Sequence, residues 1–160
     1  MERENRNLLV EGVKAFGIDL DEKKVGAFDL YLRELLKWNQ KINLTAIRSE
    51  KGIVVKHFLD SLSAYPYLSK PSSLLDIGSG AGFPGIPLKM VEPFLEVTLI
   101  DSVRKKVDFQ KHIIRTLGLK GIFSLAPLVR WQQQPQCTCK GTVPQRKTQL
   151  YLQLESITMP

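Results

Sequence analysis

The stretch LLDIGSGAGFPGIPLKM, residues 74–90, gathers residue types whose spacing could do chemistry. Gly78, Gly80 and Gly82 alternate, Asp76 stands two positions before them, and Asp101 closes the next apolar run. Counted from Gly80, GAGFPG satisfies G-x-G-x-x-G, the turn that brings a pyrophosphate to backbone amides and a helix N-terminus. Counted from Gly78, the pattern is acid-x-G-x-G-x-G, which suits S-adenosylmethionine (SAM). Asp101, roughly 20 residues on, suits ribose hydroxyls in either case.

Asp76 separates the two ligands. A pyrophosphate is dianionic and is best served by amides with no carboxylate beside them. SAM carries a sulfonium and an ammonium group, which favour a carboxylate at the strand end, and its own carboxylate can use helix N-terminal amides. Pro84, at the start of the following helix, removes an amide that a pyrophosphate could use. The turn therefore points to SAM ahead of a nicotinamide cofactor. A strand-to-helix turn without a ligand is the plainest alternative.

Other residue groupings carry less. His57, Asp60 and Ser61 are triad ingredients, but they fall within five positions of one predicted helix and no oxyanion loop accompanies them. Packing or partner contact at a domain junction is the expectation for His57, and a core position for Trp38. Cys137 and Cys139 are too close in sequence for good disulfide geometry. With His57 and His112 the only histidines, they make half a zinc site at best, and no metal is expected.

The glycine turn needs elements on both sides to position it. LLDIG, bounded by turn residues, predicts a buried strand, and FPGIPLKMVEP predicts a helix whose prolines stay in its first turn. LEVTLID predicts a second strand, and SVRKKVDFQKHIIRTLG a second helix, capped by Ser102 and closed by Gly118. This β-α-β-α order opens a doubly wound parallel sheet. Three helical segments precede it. The first has Leu8, Leu9, Val13 and Phe16 near one face and can stop at Gly17. The second, capped by Asp21, repeats Val25, Phe28, Leu32, Leu35 and Leu36, and Asn39 lies near its end. NLTAI follows as an extended link. The third helix starts at Ser49, places Val54, Phe58, Leu62 and Tyr65 in a stripe, and ends or bends at Pro66.

The whole chain has 160 residues, 43% apolar and 24% charged, as in a single globular domain. No apolar run approaches the roughly 20 residues of a membrane span, and MERENRNLL lacks the form of a signal peptide. A cytoplasmic protein with no membrane partner is expected. Net charge is +7, which permits a polyanionic partner held through phosphate contacts. Arg104, Lys105, Lys106, Lys111 and Arg115 are candidates for that grip, and a solvated helix face is the plainer reading of most of them. Near Ser124 the text changes: two glutamines precede it and seven follow, with both cysteines and four of nine prolines. IFSLAPLV offers a third strand and QLYLQLES one more, but further β-α units are not visible. A tail out of frame and a genuine short variant both fit, and the abruptness favours the first.

LLDIGSGAGFPGIPL with VTLIDSVRKKVDFQ, preceded in order by LLKWNQKINLTAI and HFLDSL, resembles the ribosomal small subunit methyltransferase G (glucose-inhibited division protein B) family over about Leu8 to Gly121. The resemblance implies an α/β, Rossmann-like SAM-dependent methyltransferase fold, incomplete here, behind an N-terminal helical extension. Its divisions would be 1–68, 69–123 and an atypical tail, 124–160. It implies methylation of N7 of a guanine in 16S ribosomal RNA, with the small ribosomal subunit as partner, by a chain read as a monomer. Gly78 and Phe83 would touch the cofactor, Asp101 would face its ribose, and Asp76, Gly80 and Gly82 would shape the pocket. Guanine N7 carries no proton and has a lone pair outside the ring π-system, so no general base is obligatory and no catalytic residue is assigned. The readings left beside this one are a nicotinamide oxidoreductase and a non-catalytic RNA-binding relative. Activity of this short chain, its stability and its affinity for SAM are expected to suffer from the missing strands.

Overall fold

The computed structural model describes residues 1–68, 73–126 and 151–153, the last as backbone only. The linker residues Ser69 to Ser72, Cys137, Cys139 and the glutamine-rich run lie outside the described residues.

Helix α1 (Arg3–Lys14) buries Asn5, Leu9 and Val13, a strict four-residue spacing. Its Gly12 lies against Leu59, and a Cβ there would stand 2.7 Å from a Leu59 methyl carbon. Helix α2 (Glu22–Ile42) starts where Asp21 accepts the Lys24 amide at 2.7 Å and ends on left-handed Asn43. It buries Val25, Phe28, Tyr31, Leu32, Leu35 and Asn39, so Tyr31 and Asn39 join the expected stripe while Leu36 is only partly covered.

The third helix begins as expected, with Ser49 Oγ accepting the Gly52 amide. It is not one α-helix. Residues Glu50–Ile53 (α3) run into a π-helical segment, Val54–Leu59, before Asp60–Leu62 (α4). The wider i→i+5 turn brings adjacent His57 and Phe58 both toward one ring, Phe83. Pro66 ends the run within a 3₁₀ turn, Tyr65–Tyr67.

Strand β1 (Ser73–Ile77), helix α5 (Gly85–Val91), β2 (Glu96–Ile100), helix α6 (Arg104–Thr116) and β3 (Ile122–Leu125) follow in the expected alternation. The sheet order is β3-β2-β1-β4, with β1, β2 and β3 parallel. Strand β4 (Tyr151–Gln153) pairs antiparallel with β1, Leu75 opposite Leu152. The described sheet, with its few parallel strands behind a helical extension, is an incomplete Rossmann-like arrangement. Helix α5 is buried along its whole length, and Pro84 and Pro87 sit where no helical amide is required. Lys89, also buried, donates to the carbonyls of Pro93 and Leu95 and fastens the loop into β2.

Ser102 does not cap α6. The N-cap is Val103, whose amide donates at 2.8 Å to Asp101 Oδ1. That bond closes a turn ahead of the helix, and no side chain caps α6 itself. Gly118 closes the helix in the left-handed region, as expected.

One continuous core joins the extension to the sheet. Tyr31, Phe28, Phe58 and Phe109 are fully buried in it, and Trp38 packs edge-on to Phe109 at 5.5 Å. Trp38 is thus part of the α2–α6 seam, where His112 Nε2 meets Glu34 at 2.6 Å.

Candidate functional site

A cleft of about 1240 Å³ lies at the C-terminal end of the parallel strands, where open α/β sheets bind ligands. One wall is the glycine turn, with Ile77, Gly78, Gly80 and Phe83. The other comes from the helical extension, with Thr45, Arg48, Lys56 and His57.

The turn is built to stay open on its cleft side and closed beneath. Gly78 has φ +78°, and a Cβ there would meet nothing within 4 Å. That is open cleft, available to a ligand that approaches the backbone. Gly82, at φ +99°, is the opposite case: a Cβ would stand 2.3 Å from Ile86 and 3.1 Å from the Tyr31 hydroxyl. Gly85, the last glycine of the G-x-G-x-x-G count, lets α5 settle on the sheet; a Cβ would stand 2.4 Å from Leu99.

Both acids lie under the turn. Asp76 is 2% exposed and does not line the cleft. Its Oδ2 accepts the Gly85 amide at 3.0 Å, the first amide of α5. Burial pushes its carboxyl up to about 7, against the lowering effect of the Gly85 bond and with a smaller push from Asp101. Asp101 is also buried and behind the cleft surface. Its Oδ2 accepts the Gly80 amide at 2.8 Å and its Oδ1 the Val103 amide, with Lys106 Nζ at 3.8 Å. Each oxygen keeps a second lone pair for a further donor.

Of the residues singled out in the sequence, the structure thus brings Gly78, Gly80 and Phe83 to the cleft and sets Asp76, Gly82 and Asp101 behind it. Among the basic residues of α6, Lys106 reaches the cleft. Arg104 pairs with Asp108 at 3.2 Å, and Lys105, Lys111 and Arg115 are exposed away from it. Arg48 and Lys56, exposed on the opposite wall, supply cleft cations that sequence reasoning passed over.

Further residues were legible only in three dimensions. Gln110, wholly buried on α6, donates to Ser79 Oγ at 2.9 Å and to the Gly80 carbonyl at 2.8 Å, and accepts from Ser124 Oγ at 2.6 Å. Tyr31 donates to the Ala81 carbonyl at 2.7 Å and stacks on Phe83 at 5.4 Å. No triad forms from His57, Asp60 and Ser61: His57 Nε2 pairs with Thr45 Oγ1, and Ser61 is buried. Among the described residues no group of three or more His, Cys, Asp or Glu could hold a metal, and no helix is long and apolar enough to cross a membrane.

A family described as rRNA small subunit methyltransferase G matches residues 24–137, which takes in most of α2, the rest of the helical extension after it, the glycine turn and both sides of the cleft. The chain belongs to that family. The match runs past Ser124, where the composition changes. Ribosomal RNA small subunit methyltransferase G of Geobacter metallireducens is 50% identical over 119 residues, covering 74% of this chain and 54% of the relative. Its namesakes from Acetivibrio thermocellus and a Roseiflexus species are 48% and 49% identical, over 73% and 72% of this chain and 49% and 50% of the relatives. The chain spans about half the length of the curated relatives it matches.

Proposed function

We propose that this chain carries the cofactor half of a SAM-dependent methyltransferase that acts on N7 of a guanine in 16S ribosomal RNA, in the cytoplasm and as a monomer. The observation that carries the reading is the open glycine turn at Gly78 inside a family match that spans it. The residues present fit SAM. Space above Gly78 admits a ligand to the backbone, and the cleft is large enough for a nucleoside-sized group, while Asp101 supports the turn from behind the cleft surface. The family match favours this reading over a nicotinamide oxidoreductase.

SAM, when bound, supplies an electrophilic methyl group. The chain's own work is positioning. Gly78 and Phe83 form the surface on which the cofactor rests. Gln110 and Asp101 hold Gly80 from beneath, so the turn does not collapse into the space it leaves. Arg48, Lys56 and Lys106 offer cations to an RNA backbone entering the cleft. Guanine N7 presents its own lone pair, so no residue here has to remove a proton.

Two measurements test this. Titration calorimetry with S-adenosylhomocysteine is expected to give saturable binding. Incubation of undermethylated small ribosomal subunits with SAM and the protein is expected to yield less 7-methylguanosine in the digested 16S RNA than a full-length relative does, because the chain spans about half of that length. RNA binding with no methyl incorporation would move the reading to a non-catalytic relative. Binding of a nicotinamide dinucleotide, with none of S-adenosylhomocysteine, would sink it.

A further inference from the structure

A chain of contacts from Asn39 through Thr45 and His57 crosses from the helical extension to Phe83 in the glycine turn. Asn39, buried at the end of α2, holds the Thr45 backbone from both sides: Nδ2 donates to the Thr45 carbonyl and Oδ1 accepts the Thr45 amide, each at 2.9 Å. Thr45 Oγ1 accepts the Ile47 amide at 3.1 Å and lies 2.8 Å from His57 Nε2. The hydroxyl has one hydrogen, and with Ile47 already donating to it that hydrogen is free for the imidazole. Burial pushes His57 below its ordinary range, against the charge of Asp60 and a bond to the Lys56 backbone, so the neutral ring can accept it. The ring then lies flat on Phe83, with centroids 4.5 Å apart and planes 6° from parallel. Tyr31 and Phe58 border the same phenyl ring at 5.4 and 6.0 Å.

We infer that His57 is a positioning residue for the cofactor turn: locked by Thr45, it fixes the plane of Phe83 from the helical extension. The π-helical turn that carries it is the local device that lets His57 and Phe58 serve the same ring. The role in a methyltransferase rests on the proposed function, but the positioning itself is a property of the free chain and is tested there.

The test is hydrogen exchange read by mass spectrometry on the full chain and on four variants. In H57A the peptide covering Gly78 to Phe83 is expected to exchange roughly tenfold faster, with α2 and α6 unchanged. T45V and H57F, which remove the Thr45–His57 hydrogen bond and keep the bulk, are expected to give about fivefold there. T45S, which restores the hydroxyl, is expected to match the wild type. Unchanged exchange of the turn in H57A overturns the inference, and so does acceleration spread evenly over α2, α6 and the turn. Adding S-adenosylhomocysteine to the wild type separates the two questions. Failure to protect the turn speaks against the cofactor reading and leaves the role of His57 standing.

Discussion

The Tyr31 hydroxyl donates to the Ala81 carbonyl at 2.7 Å, joining the middle of α2 to the centre of the glycine turn. Both residues are buried. The helical extension is therefore a wall of the same site as the sheet. Tyr31→Phe leaves the Ala81 carbonyl without that donor and is expected to cost about 1–3 kcal/mol. Urea denaturation of the two proteins measures it, and a loss under a few tenths of a kcal/mol (roughly the scale of neutral surface changes) would contradict the role.

Two glycines of one motif should fail in different ways. Gly85→Ala drives a methyl group to 2.4 Å from Leu99 and is expected to destabilise the chain by about 1–3 kcal/mol. Gly78→Ala meets nothing in the free chain, so its stability cost is the left-handed backbone alone, about 1–2 kcal/mol. Its new methyl group stands in the cleft, and S-adenosylhomocysteine binding is expected to be lost. Thermal melting with and without that ligand distinguishes the two variants.

Gln110 links α6, β3 and the turn by three hydrogen bonds from a fully buried amide. Gln110→Ala should cost about 2–4 kcal/mol, combining a cavity with unpaired polar groups. The expected signature is local as well: faster exchange at Gly80 than at α2.

Asp76 gives stability a pH dependence. Its folded pKa, about 7, lies above the unfolded value near 3.9, so the folded chain holds the proton more tightly. The contribution is full below about pH 4 and is lost as pH rises through 7, a total of roughly 4 kcal/mol. Asp76→Asn should flatten that slope. Denaturant titrations of both proteins at pH 5 and pH 8 check it, and equal slopes would refute it.

The sheet leaves Phe123 61%, Leu125 50% and Ile77 47% exposed. Parallel sheets are normally covered on both faces. The chain alone is thus expected to melt with a van't Hoff enthalpy below its calorimetric enthalpy. A two-state transition in the calorimeter, strongly raised by SAM, would contradict this.

The strand-turn-helix at Leu74 to Met90, the Asp21 and Ser49 caps and the apolar stripe of α2 were legible in the sequence, because each depends on local spacing, turn geometry or a cap three residues away. So was the family, through motifs kept in order along the chain. The direction of Asp76 was not. A carboxylate at a strand end can face a ligand or the adjacent helix, and the close seating of α5 through Gly85 turns it inward. Nor was the start of α6, where Ser102 gives no cap and Asp101 holds the Val103 amide in a turn ahead of the helix. The partners of Tyr31, Gln110, His57 and Asn39 depend on how helices far apart in sequence meet the turn, and no periodicity encodes that meeting. The residues of the glycine turn follow from short-range pattern; what holds the turn open is decided by long-range hydrogen bonds and ring contacts, which exist only once the extension has packed against the sheet.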